Sequence, residues 1–308
     1  MSTKPRSTSS LSGRAEPSDA ATGSKPTKPR PGLHIVATPI GNLADISLRA
    51  LDALSAADTV ACEDTRVTRK LLNAYGLDRA LTAYHEHNAD RMRPRLIKRM
   101  KDGESVALVS DAGTPLVSDP GYKLARAAIA EGLTVTTLPG ASAPLAALVV
   151  SGLPSDRFLY AGFLPPKRAA RRKALGNLAG VPATLIFLES ARRLAAALED
   201  MAAILGARPA AVVRELTKLF EEARRGDLAE LAMLYRSAGP PKGEIVVVVG
   251  PPETPASEAA DLDEQLAVAL ERASLRDAAA MVAAATGLPR REVYARALAL
   301  SGRNRGKA

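Results

Sequence analysis

The chain is poor in the residues that several common binding chemistries require. Of its 308 residues only 3% are aromatic, none is Trp and one is Cys. Binding of single-stranded nucleic acid by base stacking needs several exposed rings, so this composition argues against a stacking platform. The single Cys62 excludes a disulfide within the chain, which suits a reducing compartment. Because Cys62 ends the apolar stretch Thr59–Cys62, we predict a buried, unreactive thiol.

Glycine-rich phosphate loops are also missing. No two of the 22 glycines stand in a G-x-G spacing, so the dinucleotide fingerprint and the P-loop are both absent. This counts against nicotinamide-dependent enzymes, P-loop NTPases and ordinary Rossmann-type methyltransferases. His85 and His87 flank Glu86, and His34 is the third histidine of the chain. Since a zinc site needs further ligands, we predict no metal site, and a Ser–His–Asp triad would have to use one of these three histidines.

Long apolar runs are absent as well. Runs such as Ile245–Val249 are too short to span a bilayer, and no signal-peptide core follows Met1. Residues 1–31 are basic and rich in Ser, Thr and Pro, which predicts a disordered tail. A transit peptide is the weaker interpretation because the tail has no amphipathic period. We therefore predict a cytoplasmic protein with no membrane partner.

The net charge of +9 is concentrated in three segments. Residues 1–31 carry +4, residues 164–180 carry +5 and residues 290–308 carry +5, so the rest of the chain is net acidic. Clustered basic residues favour a polyanionic partner because they displace counterions from phosphates, although solubility alone is an alternative explanation. In the second segment, four basic residues share one helical face at i, i+3 and i+4 spacing: Lys167, Arg168, Arg171 and Arg172. We predict that this face binds phosphates.

Short apolar runs alternate with helical stretches from Leu33 onward, which predicts α/β structure with a largely parallel sheet. The predicted strands of the first domain are Leu33–Ala37, Thr59–Cys62, Leu81–Tyr84, Ser105–Val109 and Leu133–Leu138. Ser47 is predicted to cap the first helix. Asp119 and Pro120 are predicted to be the N-cap and first residue of a helix that ends at Gly132, and another helix is predicted over Ala141–Val150.

A second α/β unit and a small helical extension follow. Predicted strands are Phe158–Phe163, Thr184–Leu188, Ala210–Val213 and Glu244–Val249, with helices Ala170–Leu178, Ala191–Leu205 and Leu228–Arg236. Beyond a helix over 262–272, two helices joined at Gly287 are typical of a helix-turn-helix, and the second begins with Arg290 and Arg291. These helices bind nucleic acid or merely cover the second domain. The expected organisation is a tail (1–31), two α/β domains (32–152 and 153–250), a linker (251–261), the extension (262–301) and a basic tail (302–308).

Four loops at the carboxyl ends of predicted strands combine glycine or proline with small polar groups. They begin at Thr38, Glu63, Ser110 and Pro139. Open α/β sheets bind ligands at this edge, so four such loops together predict a binding cleft. Each loop alone would be weak evidence, because turns have the same composition.

These loops carry a resemblance. The segments Thr38–Leu43, Cys62–Arg66, Ser110–Gly121 and Pro139–Ser142 resemble the tetrapyrrole-methylase fold, and more narrowly its ribosomal RNA small subunit methyltransferase I subfamily. Further matching segments lie in the second domain: Gly162–Pro165, Leu188–Ser190, Arg214–Lys218, Glu221–Glu222, Gly226 and Lys242–Glu244. The resemblance covers residues 33–250, and the terminal helices resemble the subfamily's helix-turn-helix extension.

The resemblance implies 2′-O-methylation of a cytidine in 16S rRNA near the decoding centre. It also implies a homodimer and S-adenosylmethionine bound in a cleft between the two α/β domains. By analogy, the cofactor is expected to contact Pro39, Asp111, Ala112, Gly113, Thr114, Pro115, Ser118, Ala141, Ser142, Leu188 and Leu216. Asp111 is expected to bind the cofactor's amino group or to close its own loop as an Asx-turn.

The reaction also requires a group that accepts the proton of the 2′-hydroxyl. Asp64 and Glu189 are the candidates, and either could instead form a structural ion pair. Arg66 is a further candidate for phosphate contact. Three other functions stay open: a methyltransferase acting on a tetrapyrrole, a non-catalytic RNA-binding or ribosome-assembly protein, and, least favoured, a DNA regulator. The spread of basic segments favours an assembled 30S subunit over naked 16S rRNA as the substrate.

Overall fold

The computed structural model of the protein describes residues 28–252 and 256–305. Most of the predicted 1–31 tail, part of the 251–261 linker and the last three residues lie outside these ranges. The described residues form two units: the first holds those up to Ala147 together with Arg214–Glu222, and the second holds Leu148–Val213 and those from Ala223 onward. The domain limits drawn from the sequence remain a prediction.

The first unit is built on a five-stranded sheet. Its strands are β1 (Gly32–Val36), β2 (Thr59–Cys62), β3 (Leu81–Ala83), β4 (Ser105–Val109) and β5 (Val135–Leu138). Its helices are α1 (Leu48–Ala56), α2 (Thr65–Ala74), α3 (Ala89–Lys101), α4 (Tyr122–Ala130) and the start of α5 (Ala143–Ser151). The strand order is β3-β2-β4-β1-β5, and every neighbouring pair is parallel, which confirms the predicted parallel sheet.

Helices cover both faces of this sheet, so its central strands are apolar throughout. All residues of β2 and β4 are buried, as expected for strands with a packed layer on each side. On one face Leu33 and Leu108 pack with Leu124 of α4. On the other face Val60 packs with Leu54 of α1. Because all neighbouring strands are parallel, the carboxyl ends of all five strands lie along one edge of the sheet.

The start of α4 corrects one prediction. The helix begins at Tyr122, with Gly121 at the N-cap position, so Asp119 is not the N-cap and Pro120 is not helical. The reason is that Leu116, Ser118 and Gly121 all have positive φ angles, which keep the loop irregular up to the helix. The next helix, α5, likewise starts at Ala143 rather than at the predicted Ala141.

The second unit contains a mixed sheet. Its strands are β6 (Phe158–Phe163), β7 (Thr184–Ser190), β8 (Pro209–Arg214), β9 (Glu222–Asp227) and β10 (Glu244–Val249), in the order β6-β7-β10-β8-β9. Its helices include α6 (Arg168–Leu178), α7 (Leu194–Leu205) and α8 (Leu228–Ala238). β6 and β7 are parallel, whereas β7 and β10 are antiparallel. Leu185, Phe187 and Val247 form its core with Leu198 of α7 and Leu231 of α8.

The strand β9 was not predicted from the sequence. Its residues, Glu-Ala-Arg-Arg-Gly-Asp, show no alternation of apolar and polar side chains. β9 lies at the edge of the sheet, next to β8, and none of its residues is buried. An edge strand of this kind is held mainly by backbone hydrogen bonds on one side and needs no apolar face, so hydrophobic periodicity does not detect it.

The terminal helices are α9 (Ala256–Leu270), α10 (Leu275–Thr286) and α11 (Arg290–Arg305). The helix predicted from residue 262 thus begins at Ala256. Ser274 caps α10 by accepting a hydrogen bond from the Asp277 amide at 3.3 Å, and Gly287 ends it with φ +71°. Leu266, Ala279, Val293 and Ala297 form a separate small core. Within the described residues, no helix is long and apolar enough to cross a membrane.

Candidate cofactor site and basic surfaces

Loops that follow three strands of the first sheet are joined at its carboxyl edge. Thr38, after β1, and Gly113, after β4, exchange two backbone hydrogen bonds of 2.9 and 3.0 Å. The Thr114 hydroxyl donates to the Ala141 carbonyl at 3.1 Å, which ties the loop after β4 to the loop after β5. The structure therefore brings together the loops that the sequence placed at one edge.

Asp111 links this group to the loop after β2. Its carboxylate accepts a hydrogen bond from the Asp64 amide at 3.1 Å, so the contact found for it crosses to another loop instead of closing an Asx-turn. Asp111 and Ala112 are exposed, whereas Gly113, Pro115 and Pro39 are buried. The first residues of the loop are thus accessible to a ligand, whereas the following ones are anchored in the unit.

Backbone strain is concentrated in two segments of the first unit. Among the described residues, four non-glycine residues have positive φ: Leu116 (74°), Ser118 (64°), Glu215 (50°) and Thr217 (64°). Such conformations cost about 1–3 kcal/mol each and cluster at ligand sites. Both segments contain predicted cofactor contacts, namely Ser118 and Leu216. This coincidence supports a site built from the two segments.

Close packing leaves no room for side chains at two glycines near these loops. A Cβ on Gly121, where φ is +133°, would lie 2.8 Å from side-chain atoms of both Leu108 and Leu116. A Cβ on Gly140 would lie 2.9 Å from the Ala37 Cβ. Ala141 and Ser142, which follow Gly140, are half-buried and directly precede α5. Glycine at these positions permits the tight approach of neighbouring loops.

The last two predicted cofactor contacts lie in different units. Leu216 is buried in the Arg214–Glu222 segment, and the neighbouring Lys218 packs its side chain over Gly41, where a Cβ would collide with it. Leu188 is half-buried on β7 of the second unit, opposite Val246 of β10. The segment that holds Leu216 therefore reaches the loop after β1 through Lys218, and the cofactor roles of both Leu216 and Leu188 remain predictions.

Two carboxyl groups at this edge have raised pKa values. Burial, and then the nearby Glu63, raise the pKa of Asp119 to about 6. Burial, and then Asp111, raise the pKa of Glu63 above its usual value. Asp119 was expected to be a helix cap, and this cluster was not predicted. Its signal was present, since Glu63 and Asp111 each follow a strand of one parallel sheet.

Asp64 and Arg66 form an ion pair with each other. The Arg66 guanidinium donates to both Asp64 carboxylate oxygens, with distances of 2.6–3.2 Å, and Asp64 also caps α2. These hydrogen bonds, from the Arg66 side chain and then from its amide, lower the pKa of Asp64 to about 2. A carboxylate with so low a pKa is a weak proton acceptor, so the geometry favours the structural alternative for Asp64.

Glu189 is also held in an ion pair. Its side chain is fully buried, lies 3.2 Å from the Arg193 guanidinium and accepts a hydrogen bond from the Ser190 amide at 2.7 Å. Arg193 in turn donates to the Leu164 carbonyl at 2.5 Å. The contacts around Glu189 are thus those of a structural link between the end of β7 and its neighbours. They favour the ion-pair alternative for this residue as well.

The predicted basic face of α6 is largely occupied by an internal ion cluster. Asp200 of α7 is buried and lies 2.6 Å from Arg171, 3.1 Å from Arg172 and 3.2 Å from Arg168. The Arg171 side chain is only 6% exposed, so the prediction that it contacts phosphate is wrong. The shared helical face points three arginines at one carboxylate. Arg168, whose side chain is 73% exposed, and the exposed Lys167 remain open to a partner.

The helical extension presents the second basic group. Arg290 and Arg291 are exposed in the first turn of α11. Arg296, one turn further along, instead forms two hydrogen bonds of 2.6 Å with Asp263 and so fixes α11 to α9. The two predicted contact residues are therefore available on a helix that is held by another arginine.

The three histidines and Cys62 make contacts of a structural kind. His34 contacts the Arg30 carbonyl at 2.7 Å and Thr136 at 3.2 Å. His85 and His87 have ring centroids 6.0 Å apart. Cys62 is buried as predicted, and burial raises the pKa of its thiol. In the part of the chain that the structure describes, no three His, Cys, Asp or Glu side chains group as a metal site.

Comparison with known families identifies the class of protein. The family described as Tetrapyrrole (Corrin/Porphyrin) Methylases matches residues 32–232, and the RsmI C-terminal HTH domain matches residues 256–301. Since the first match covers more than half of the sequence, the chain belongs to the tetrapyrrole methylase family and is a methyltransferase. The second match confirms that the terminal helices form a helix-turn-helix extension.

Named relatives narrow the comparison. The chain is 57% identical over 277 residues to the Ribosomal RNA small subunit methyltransferase I of Mesorhizobium japonicum (strain LMG 29417 / CECT 9101 / MAFF 303099), covering 89% of this chain and 94% of that protein. It is 44% identical to the protein of the same name from Escherichia coli O157:H7, covering 88% of this chain and 96% of that one.

Solved structures share the fold at lower identity. Uroporphyrin-III-C-methyltransferase from Thermus thermophilus has a TM-score of 0.52 at 23% identity, covering 72% of this chain and 94% of that one. A diphthine synthase has a TM-score of 0.54 at 18% identity, covering 71% and 89%. These similarities support the α/β fold and carry no information on the substrate.

Proposed function

We propose that the protein transfers a methyl group from S-adenosylmethionine to the 2′-hydroxyl of a cytidine in 16S rRNA, near the decoding centre. The observation that carries the proposal is the similarity to the small-subunit rRNA methyltransferases. It extends over nearly nine tenths of the chain and over nearly the whole length of those relatives. We further propose that the protein acts in the cytoplasm, as a homodimer, on the 30S subunit.

The residues at the first sheet edge fit this cofactor. S-adenosylmethionine carries a positive sulfonium and a positive amino group, and the edge presents the carboxyl groups of Glu63, Asp111 and Asp119. The exposed start of the Asp111–Pro115 loop offers backbone groups, and the strained Ser118 and the buried Leu216 lie in the two flanking segments. We assign the cofactor contacts to these groups, together with Pro39, Ala141 and Ser142.

Methyl transfer places specific demands on the protein. When bound, the cofactor supplies a methyl group on a sulfonium, which is already a strong electrophile. The chain's own residues must hold the ribose oxygen in line with that group, exclude water and receive the hydroxyl proton. The joined loops at Thr38, Gly113 and Thr114 supply a rigid frame for such placement. Rigidity matters because small errors in alignment slow the transfer strongly.

The exposed basic residues support binding of an RNA backbone. Arg290 and Arg291 on α11, and Lys167 and Arg168 at the start of α6, are open to a phosphate partner. A tetrapyrrole carries a few carboxylates and would not need basic groups on a separate helical extension. The helix-turn-helix match over residues 256–301 therefore favours the RNA substrate over the small-molecule alternative.

The proposal is tested by transfer of tritiated methyl groups to 30S subunits from a strain that lacks this enzyme, followed by mapping of the labelled nucleotide. Label on a cytidine 2′-oxygen is the expected result. If cofactor binding is intact but 30S subunits, free 16S rRNA and assembly intermediates all stay unlabelled, the small-molecule alternative is favoured. Failure to bind S-adenosylmethionine would instead favour a non-catalytic RNA-binding protein. Equal labelling of naked rRNA and subunits would remove the preference for the 30S particle.

A further inference from the structure

The loop between β8 and β9 is unusually constrained. Arg214 and Glu222 close its base through a hydrogen bond of 2.6 Å. Inside the loop, the Thr217 amide donates to the Glu221 carboxylate at 2.6 Å, and the Lys218 amide donates to the Glu215 carbonyl at 3.0 Å. With Glu215 and Thr217 both at positive φ, the loop is rigid and strained. Because strained backbone conformations cluster at functional sites, this loop is a candidate functional segment.

The loop holds a Lys–Glu pair beside the cofactor loops. The Lys218 ammonium lies 2.9 Å from the Glu215 carboxylate, and the two side chains are 29% and 20% exposed. The Lys218 stem packs over Gly41, in the segment whose Thr38 is bonded to Gly113 of the Asp111–Pro115 loop. The pair is therefore anchored, through Gly41 and Thr38, to the edge of the first sheet and remains partly accessible.

A buried polar atom lies next to this pair. The hydroxyl oxygen of Thr217 is buried and has no hydrogen-bond partner in the structure. A buried hydroxyl without a hydrogen-bond partner destabilises the folded protein, and such groups call for a functional explanation. A polar ligand bound against the loop would provide the missing hydrogen bond. The unpartnered Thr217 hydroxyl is independent of the Lys218–Glu215 contact, and it also indicates a ligand at this loop.

The two proton acceptors predicted from the sequence, Asp64 and Glu189, have surroundings that differ from those of Glu215. Asp64 is held by Arg66 and Glu189 by Arg193, with Glu189 fully buried. The Arg66 guanidinium donates to both oxygens of the Asp64 carboxylate, and the Glu189 side chain has no exposed surface. The Glu215 carboxylate is partly exposed and lies 2.9 Å from the Lys218 ammonium, so this pair offers both a carboxylate and an ammonium to a ligand.

We propose that Glu215 and Lys218 are the catalytic pair that activates the ribose 2′-hydroxyl, an inference that rests on the proposed function. The hydroxyl oxygen accepts a hydrogen bond from the Lys218 ammonium while its hydrogen points to the Glu215 carboxylate. As the bond between this oxygen and the methyl carbon forms, the bond between that carbon and sulfur breaks and leaves a neutral thioether. The hydroxyl proton passes to Glu215, which later releases it to water.

Each member of the pair has a distinct task. The ammonium stabilises negative charge on the oxygen as the proton leaves, which is effective in a site shielded from water. The carboxylate receives the proton at hydrogen-bond distance. Lys218→Arg preserves the positive charge, whereas Glu215→Gln keeps the shape of the side chain but accepts no proton. These substitutions separate the two tasks.

The test compares Glu215→Gln, Lys218→Met and Lys218→Arg in the full-length protein. Single-turnover methylation of 30S subunits is measured together with S-adenosylmethionine affinity by calorimetry and with the melting temperature. We expect Glu215→Gln and Lys218→Met to slow methyl transfer at least a hundredfold with cofactor affinity changed less than threefold. Lys218→Arg should recover at least a tenth of the rate. The rate of Glu215→Gln should also rise tenfold per pH unit, because hydroxide replaces the missing acceptor.

Lys101→Met is the matched control. Lys101 also forms a lysine–glutamate ion pair in the first unit, with Glu131 at 2.6 Å, but at the ends of α3 and α4 away from the joined loops. This variant should methylate at the normal rate. Near-normal transfer by Glu215→Gln or Lys218→Met overturns the proposal, as does a loss that follows a lower melting temperature or weaker cofactor binding. Failure of the wild-type enzyme to label any RNA would instead overturn the proposed function itself.

Discussion

Arg171 of α6 and Asp200 of α7 form a buried ion pair. The guanidinium and carboxylate lie 2.6 Å apart, and their side chains are 6% and 1% exposed. Arg171 also donates to the carbonyls of Pro166 and Ala196 at 3.4 and 3.5 Å. Arg168 and Arg172 complete the cluster around the same carboxylate. A face that looked like a phosphate-binding surface in the sequence is therefore largely a link between two helices.

Replacing Asp200 with asparagine should destabilise the second unit strongly. The change leaves the buried Arg171 charge without its counter-ion, a loss that typically costs about 3–5 kcal/mol. The free energy of unfolding, from urea titration followed by circular dichroism, measures the effect. Glu199→Gln is the control, because Glu199 pairs with the exposed Arg236 and such surface pairs contribute about 0–1 kcal/mol. Similar losses for the two variants would show that the cluster is not a structural link.

Asp119→Asn should stabilise the protein at pH 8 but not at pH 4. Burial and Glu63 raise the pKa of Asp119 to about 6, above the value of about 3.9 in the unfolded chain. Below about pH 4 Asp119 is neutral in both the folded and the unfolded chain, so its burial costs no stability by ionisation. As the pH rises through about 6, the carboxyl ionises at its half-buried position, and this part of the stability is lost. Asparagine stays neutral, so we expect a gain of about 1–3 kcal/mol at pH 8, measured by chemical denaturation.

Asp52→Asn, on the exposed side of α1, is the control for this prediction and should change stability little at either pH. An equal effect of Asp119→Asn at pH 4 and pH 8 would contradict the prediction, since it would show that the charge of Asp119 is not the cause.

Gly121→Ala should weaken cofactor binding. The new Cβ would lie 2.8 Å from Leu108 and Leu116 at a φ of +133°, so the loop that carries Asp111 and Ser118 must shift. We expect the dissociation constant for S-adenosylmethionine, measured by calorimetry, to rise about tenfold, which corresponds to roughly 1.4 kcal/mol.

Gly132→Ala provides a matched comparison, because Gly132 also has positive φ but nothing within 4 Å of its Cβ position. Because a Cβ disfavours the left-handed conformation, it should cost roughly 1–2 kcal/mol of stability and leave cofactor affinity unchanged. If both alanines weakened cofactor binding alike, general strain rather than the loop would be the cause.

Removing both exposed arginines of α11, by Arg290→Ala with Arg291→Ala, should weaken binding of 30S subunits and reduce its salt dependence. Each phosphate contact contributes roughly 0.7–0.9 to the slope of log affinity against log salt, so we expect the slope to fall by about 1–2. Filter binding across a salt series measures this change. Saturating subunits should restore the normal rate of methyl transfer.

Arg296→Ala tests the opposite role on the same helix. Because Arg296 is bound to Asp263, its loss should loosen α11 and lower the melting temperature of the extension. For the variant that combines Arg290→Ala with Arg291→Ala, an unaltered slope of log affinity against log salt would exclude α11 as the phosphate-binding surface.

Much of the fold follows from local sequence patterns. The continuous apolar runs of β2 and β4 predict strands that are covered on both faces, and Ser274 and Gly287 mark the limits of α10. The strand β9 escaped prediction because an edge strand needs no apolar periodicity. The start of α4 was misplaced because positive φ at Leu116 and Ser118 is not encoded by glycine, asparagine or aspartate.

The candidate site was predicted in outline but not in its assignments. Loops at the ends of parallel strands must share one edge, so the sequence placed Thr38, Asp111 and Ala141 together correctly. It could not show that Asp64 is held by Arg66 or that Asp119 is half-buried next to Glu63. Those facts depend on which side chains meet across different loops.

The sequence by itself determined the family, the parallel sheet, the loops that meet at its carboxyl edge and the helix-turn-helix extension. Local periodicity and characteristic segments encode all of these. The tertiary structure alone decided which charges are available, turning Arg171 inward to Asp200 and leaving Arg290 exposed. It also placed Lys218 against Gly41. The reason is physical: burial and the pairing of charges depend on contacts between residues far apart in the chain, and local patterns do not record those contacts.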